Sequence, residues 1–239
     1  MGVTKRTINK AIDSINKHHF QLVYPIKNSR NIPSLWQTLY PRSKMRWDWS
    51  EDADERVVEM WHLKDILCND PQVIYAKWYR GRATFLSRQA FAALLRILGS
   101  TYCDEIRSNE HANEIYQELL DESPQTPKSI KASTNLNGKY YRKSYESGIK
   151  NLWEQLLIVG TGEVDEGAFP ALAIGASKHI YEDLWDEAKS MKLQAAYKYL
   201  TAVSDLCFSR YLDKLILKYS QWNLPKEEYQ ALKNAQKVA

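Results

Sequence analysis

The sequence predicts an α+β fold that is mostly helical, and three observations carry the prediction. Apolar residues recur at helical spacing over much of the chain, as at Ile8, Ala11, Ile12 and Ile15, or Leu193, Ala196, Tyr197 and Leu200. Short runs rich in β-branched and aromatic residues interrupt that pattern at residues 57–86 and again at 157–175. Between Ser108 and Ala176, three helical segments precede two strand-like runs joined by Asp165-Glu166-Gly167, a tight-turn signal. Three helices followed by a β-hairpin is the order of a winged helix-turn-helix.

Taken in order, residues 4–18 are expected to form a helix, and Pro25 and Ile32-Pro33 separate it from the next one. Ser34 opens a short helix that Pro41 closes, and Trp47 and Trp49 fall in an acidic loop with Glu51, Asp52, Asp54 and Glu55. Strands are expected over Val57–Leu63, Val73–Tyr79 and Ala83–Leu86, with Arg80-Gly81 as a hairpin turn. Ser87 then caps a helix carrying Phe91, Leu94, Leu95 and Leu98, which Gly99 ends. Residues 1–100 thus read as an N-terminal α+β region, with a degenerate winged helix as one form of it.

The winged module proper is assigned to residues 108–176. Its first helix begins at Ser108-Asn109-Glu110 with Ala112, Ile115, Leu119 and Leu120 on one face. Thr126-Pro127 starts the second, since Thr caps and Pro fits a first turn. Asn137-Gly138 supplies a turn into a third helix running from Lys139 to about Gln155. Residues 177–239 read as a helical C-terminal region in which Pro225 restarts a last helix. No fixed-period repeat is visible.

The chain has 239 residues, room for one large core or two small ones. Its apolar share is 44% and its aromatic share 12%, which favours packed helices and half-buried interfaces over disorder. A net charge of +4 is only mildly basic, so the distribution of charge has to decide the partner. Cys68, Cys103 and Cys207 lack metal-ligand spacing and read as reduced thiols. No apolar run has the length of a membrane span, so a cytoplasmic protein without membrane contact is expected. No glycine-rich phosphate loop, zinc spacing or nucleophile elbow occurs, and no cofactor or metal is expected.

Two clusters carry the functional expectation. On the third helix, Tyr145, Ile149, Leu152 and Leu156 share the inward face. Lys139, Tyr140, Arg142, Lys143 and Lys150, with Ser147 and Asn151, are then placed to meet phosphates and base edges of duplex DNA. The plain alternative is a solvated face of mixed charge. Glu163, Asp165 and Glu166 count against a wing lying on phosphates. The second cluster is Lys77-Trp78-Tyr79-Arg80-Gly81-Arg82, where cations interleave with aromatics as they do in stacking sites for exposed bases. A hairpin with buried aromatics and a charged tip explains it equally well. Lys64-Asp65 forms a polar insertion after Trp61-His62-Leu63 and reads as a structural ion pair.

Several strings together resemble the short, AlkZ-related members of the AlkZ-like winged-helix proteins. Pro25-Ile26-Lys27-Asn28 with Pro33-Ser34-Leu35-Trp36 is similar to that family's N-terminal signature. Trp61-His62-Leu63-Lys64-Asp65 resembles its Trp-x-x-Lys-Asp element, and Lys77-Trp78-Tyr79-Arg80-Gly81-Arg82 its Lys-x-x-Arg-Gly segment. The likeness spans about the first three-quarters of the chain. It implies a tandem winged-helix fold that binds DNA, akin to glycosylases that excise alkylated bases. Those glycosylases position water with a Gln-x-Gln or Gln-x-Asp pair, and no Gln here is followed two places later by Gln or Asp. The expected function is therefore DNA binding linked to repair and without catalysis. An active glycosylase or a damaged-base sensor, with Lys64, Asp65 and Trp78 as the lesion site, and a protein-interaction scaffold are the alternatives.

Overall fold

A computed structural model describes residues 3–46, 54–106, 108–166 and 170–238. Thr4 caps α1 (Lys5–His18) by accepting from Thr7 N, and Ala11, Ile12 and Ile15 form its buried face. His19, at φ 61°, turns the chain into β1 (Phe20–Leu22). The short α2 (Leu35–Leu39) is capped by Ser34, and α3 (Glu55–Cys68) by Asp54.

Residues 57–63 are therefore helical where the sequence predicts a strand. The β-branched pair Val57-Val58 falls in the first turn of α3. Met60, Leu63 and Leu67 are buried at spacings of three and four, which only a helix places on one face. The sheet is instead made by β2 (Val73–Ala76), β3 (Thr84–Ser87) and β1, in the order β1-β3-β2 with both pairings antiparallel. Arg80 and Gly81, both at positive φ, form the predicted turn between β2 and β3. Then α4 (Arg88–Leu98) runs from its Ser87 cap to left-handed Gly99, as expected, and is buried from Ala90 to Leu98.

The second half repeats the order of the first. Asn109 caps α5 (Glu110–Asp121), Thr126 caps α6 (Pro127–Ser133), and α7 (Gly138–Glu154) leads into β4 (Ile158–Asp165) and β5 (Pro170–Ala176). Gln125, between α5 and α6, exchanges two 2.8 Å backbone hydrogen bonds with Ile174 of β5. It takes the place on β5 that β1 takes on β3. Both halves thus read helix, extended segment, helix, helix, strand, strand, with the last strand central. β4 pairs antiparallel with β5, with an irregularity between Gly160 and Glu163. Gly167 and Ala168 of the predicted turn and strand lie outside the described residues, as do Trp47, Trp49, Glu51 and Asp52.

The rest is helical: α8 (Ser177–Ile180), α9 (Glu182–Ser190), α10 (Leu193–Val203), α11 (Leu206–Leu215), a π-helical turn Ile216–Ser220, α12 (Gln221–Asn223) and α13 (Lys226–Val238). The stripe from Leu193 to Leu215 is divided at Ser204-Asp205, where Asp205 caps α11. One apolar cluster runs from Phe20 through α4, α5, α7 and β4 to Leu232. A second fills the space enclosed by α1, α2, α3 and one face of the first sheet. Cys68 and Cys103 are buried, Cys207 is half-buried, and the three form no disulfide. Among the described residues no helix is long and apolar enough to cross a membrane.

Candidate nucleic-acid interface

The longest helix, α7, is seated by a glycine. A Cβ on Gly148 would lie 3.0 Å from Ile115 Cδ1 and 3.1 Å from Ala112 N, so α5 approaches the α7 backbone closely. Tyr145 and Leu152 are buried on that side, and Ile149 is half-buried. Lys139, Tyr140, Arg142, Lys143 and Lys150 are all exposed. Tyr140 is 87% exposed, an unusual position for so large a ring, with the Tyr141 ring edge-on at 5.0 Å. The Arg142 guanidinium donates to Glu146 at 2.8 Å, which raises its pKa further. Among the described residues Lys139 and Lys143 carry no ion pair.

At the other end of α7 stands Glu154, a buried carboxylate. It accepts from Lys218 Nζ at 2.7 Å and Tyr219 OH at 2.5 Å, with Lys150 Nζ at 4.0 Å. Tyr211 OH lies 3.4 Å from Glu154 and donates to Trp78 O at 3.1 Å. Burial, with the Glu154 charge, raises the pKa of both tyrosines. The turn Tyr79–Gly81 is thereby packed against α7, and exposed Arg80 and Arg82 stand near its C-terminal end. Of the α7 cations named above, Lys150 is the one nearest that turn. Lys139 and Lys150 are about 16 Å apart along the helix at 1.5 Å per residue.

Trp78 itself is fully buried, stacked on Phe20 at 5.5 Å and on Phe208 at 6.2 Å. Its ring has no face open to an extruded base. The segment is the hairpin with buried aromatics and a charged tip, where Lys77, Arg80 and Arg82 are exposed.

A family model described as AlkZ related matches residues 5–219. The chain belongs to that family. Membership suggests a protein related to DNA repair, and the match reaches into the C-terminal helices, beyond the strings that carry the resemblance. No curated protein and no solved structure matches the chain.

In this AlkZ-related protein Lys64 and Asp65 are spent on holding β4. Lys64 forms a mostly buried ion pair with Glu163, and Trp61 Nε1 donates to the same carboxylate at 2.6 Å. Asp65 Oδ1 accepts from Glu163 N at 2.7 Å. Close approach is helped by Gly162, at φ 103°, where a Cβ would meet Asn69 Nδ2 at 2.6 Å. Although Lys77 as a whole residue is exposed, desolvation at its ammonium, with the charge of Lys64, lowers its pKa. Glu166 is occupied too, accepting from the Thr126 hydroxyl at 2.6 Å. Two of the three acids that told against a wing on phosphates are therefore engaged inside the molecule, while Asp165 is exposed.

Sequence pattern does not reveal the partners of Glu154 and Glu163, which come from distant stretches of the chain. Lys150 at i−4 was the only local sign of Glu154's role, and nothing local links Lys64 to Glu163. Among the described residues no group of His, Cys, Asp and Glu is placed to hold a metal ion.

Proposed function

We propose that this AlkZ-related protein binds duplex DNA through two winged-helix modules, residues 1–100 and 108–176, backed by the helices of 177–239. In this reading α7 is the recognition helix of the second module, and the Lys77–Arg82 turn is the wing of the first. The exposed face of α7, with Tyr140 87% exposed among Lys139, Arg142 and Lys143, is the observation that carries it. Lys139, Tyr140 and Lys143 fall within about 100° of the helix surface, with Arg142 on the flank, and an aromatic ring beside cations suits base edges and phosphates. The repeated element order supports the division into modules. The helix equivalent to α7 in the first module is α3, which is taken up by β4, so the reading places groove contact on α7 alone.

Retardation of a duplex by the full-length protein across a salt series tests it. Log affinity should fall with log salt by about 0.9 for each phosphate contacted. The double variant Arg142→Glu, Lys143→Glu should abolish retardation and leave the thermal unfolding curve unchanged. Wild-type protein that fails to shift duplex even at low salt would refute the proposal. The reading is of binding without excision, so alkali-labile breaks in alkylated duplex incubated with the protein would overturn that part of it.

A further inference from the structure

Groove contact by α7 does not involve the cations around the motif Pro25-Ile26-Lys27-Asn28 and Pro33-Ser34-Leu35-Trp36. From Ile26 to Arg46 the chain carries Lys27, Arg30, Arg42, Lys44 and Arg46, and no Asp or Glu. All of these cations are exposed. They stand on two loops, one before α2 and one after it.

The loops are tied together rather than merely adjacent. Asn28 accepts from Met45 N at 2.7 Å and donates to Met45 O at 2.9 Å. Arg30 Nη2 donates to Pro41 O at 2.9 Å, and Trp36 Nε1 to Ser43 O at 2.9 Å. Gln37 Nε2 donates to Ser29 O at 2.7 Å. Lys27 and Asn28 are both at positive φ, a conformation that Asn tolerates but that Lys adopts only when its surroundings hold it there. Between the loops lies a cleft of about 190 Å³ bordered by Asn28, Arg30, Arg42, Ser43 and Lys44.

What this surface offers is charge and N–H donors. The motif's own ring, Trp36, is buried, with the Arg56 guanidinium 5.5 Å from its centre, so no ring face is presented to a base. Base stacking needs such a face, whereas phosphate oxygens need only cations and donors.

We propose that this loop pair grips the phosphate backbone of duplex DNA, as a second contact that does not read sequence. The inference rests on the DNA-binding reading of α7 and adds a surface to it. Topology gives it a place. Residues 40–46 lead from α2 towards α3, as residues 134–137 join α6 to α7 immediately before Lys139. In helix-turn-helix docking the first helix crosses the backbone while the second enters the groove. With α3 held by β4, the backbone contact is the one left to the first module.

The test uses the full-length protein with the double variant Arg42→Ala, Lys44→Ala, whose altered side chains are exposed. Retardation of two duplexes of unrelated sequence is measured across a salt series, beside wild type and the Arg142→Glu, Lys143→Glu variant. Loss of two contacts should lower the salt slope by about 1.8, at about 0.9 each, and by the same amount on both duplexes. A wild-type slope and affinity in Arg42→Ala, Lys44→Ala, where the α7 variant no longer binds, overturns this inference and leaves the DNA-binding reading standing. No binding by wild type sinks both. Sedimentation with vesicles of phosphatidylserine and phosphatidylcholine is the remaining arm. Loss of vesicle binding in the loop variant, with DNA retardation unchanged, assigns the patch to a membrane surface and overturns the inference as well.

Discussion

The Glu163 carboxylate faces Lys64 and Trp61, and its backbone N–H is held by Asp65. Its charge is thus spent inside the molecule. The Lys64 and Glu163 side chains are only 11% and 14% exposed, so solvent does little to screen the pair. Removing one partner of such a pair leaves a desolvated charge behind, at a typical cost of about 3–5 kcal/mol. Lys64→Ala should therefore lower the free energy of unfolding by about 3 kcal/mol in urea titration, and Lys64→Met with Glu163→Leu should recover most of that loss. A cost below about 1 kcal/mol for Lys64→Ala would mean that the pair behaves as a surface ion pair, and the locking role of Glu163 would fall.

Elements were legible in the sequence where a cap and an apolar stripe agreed. Ser87 and Gly99 bracket α4, Thr126-Pro127 opens α6, and the Tyr145 and Leu152 stripe fixes the inward side of α7. For α3 the two signals conflicted: Val57, Val58 and Trp61 have strand preferences, while the Asp54 cap and the Met60, Leu63 and Leu67 spacing specify a helix. Spacing prevailed because burial on one face outweighs the small propensity penalty of β-branched residues. Gly148 was not legible at all, since its role is defined by α5, more than thirty positions upstream. A methyl group there would press on Ala112 N and His111 C, both at 3.1 Å, and backbone atoms in a packed helix cannot swing aside. Ala is the better helix former by about 1 kcal/mol, so the intrinsic preference and the packing oppose each other. Packing should win. Gly148→Ala is expected to lower stability by roughly 1–3 kcal/mol, read as a lower denaturation midpoint. A midpoint equal to or above wild type would show that α5 yields, and that the close approach is incidental.

At the scale of the whole molecule, what repeats is an order of elements and a pairing pattern, not a string of letters. Gln125 needs only its backbone to take the place of β1, so no residue type betrays it. The cations of the proposed interface were legible as charge on one helix face, but the packing of the Lys77–Arg82 turn at the C-terminal end of α7 depends on Tyr211 and Glu154, which join three distant stretches of chain. That junction bears on how the molecule unfolds. A chain of two modules and a helical extension would ordinarily be expected to lose its parts separately. Here the larger apolar cluster takes side chains from every region, from Phe20 to Leu232. Glu154 ties α7 to Lys218 and Tyr219, and Arg96 of α4 makes two 2.8 Å bonds to Glu228 of α13. Only the smaller cluster, between α1, α2, α3 and the first sheet, belongs to one region, and the larger core is shared by all three, so the chain should unfold in one cooperative step. Tryptophans report on each region, with Trp36 in the first, Trp153 in the second and Trp185 in the third, all buried. Urea curves followed by tryptophan fluorescence and by far-ultraviolet circular dichroism should therefore superimpose, with a single midpoint and slope. Separate midpoints, with helical signal lost ahead of the fluorescence change, would mean that the C-terminal helices unfold independently, and that the shared core does not bind the three regions into one unit.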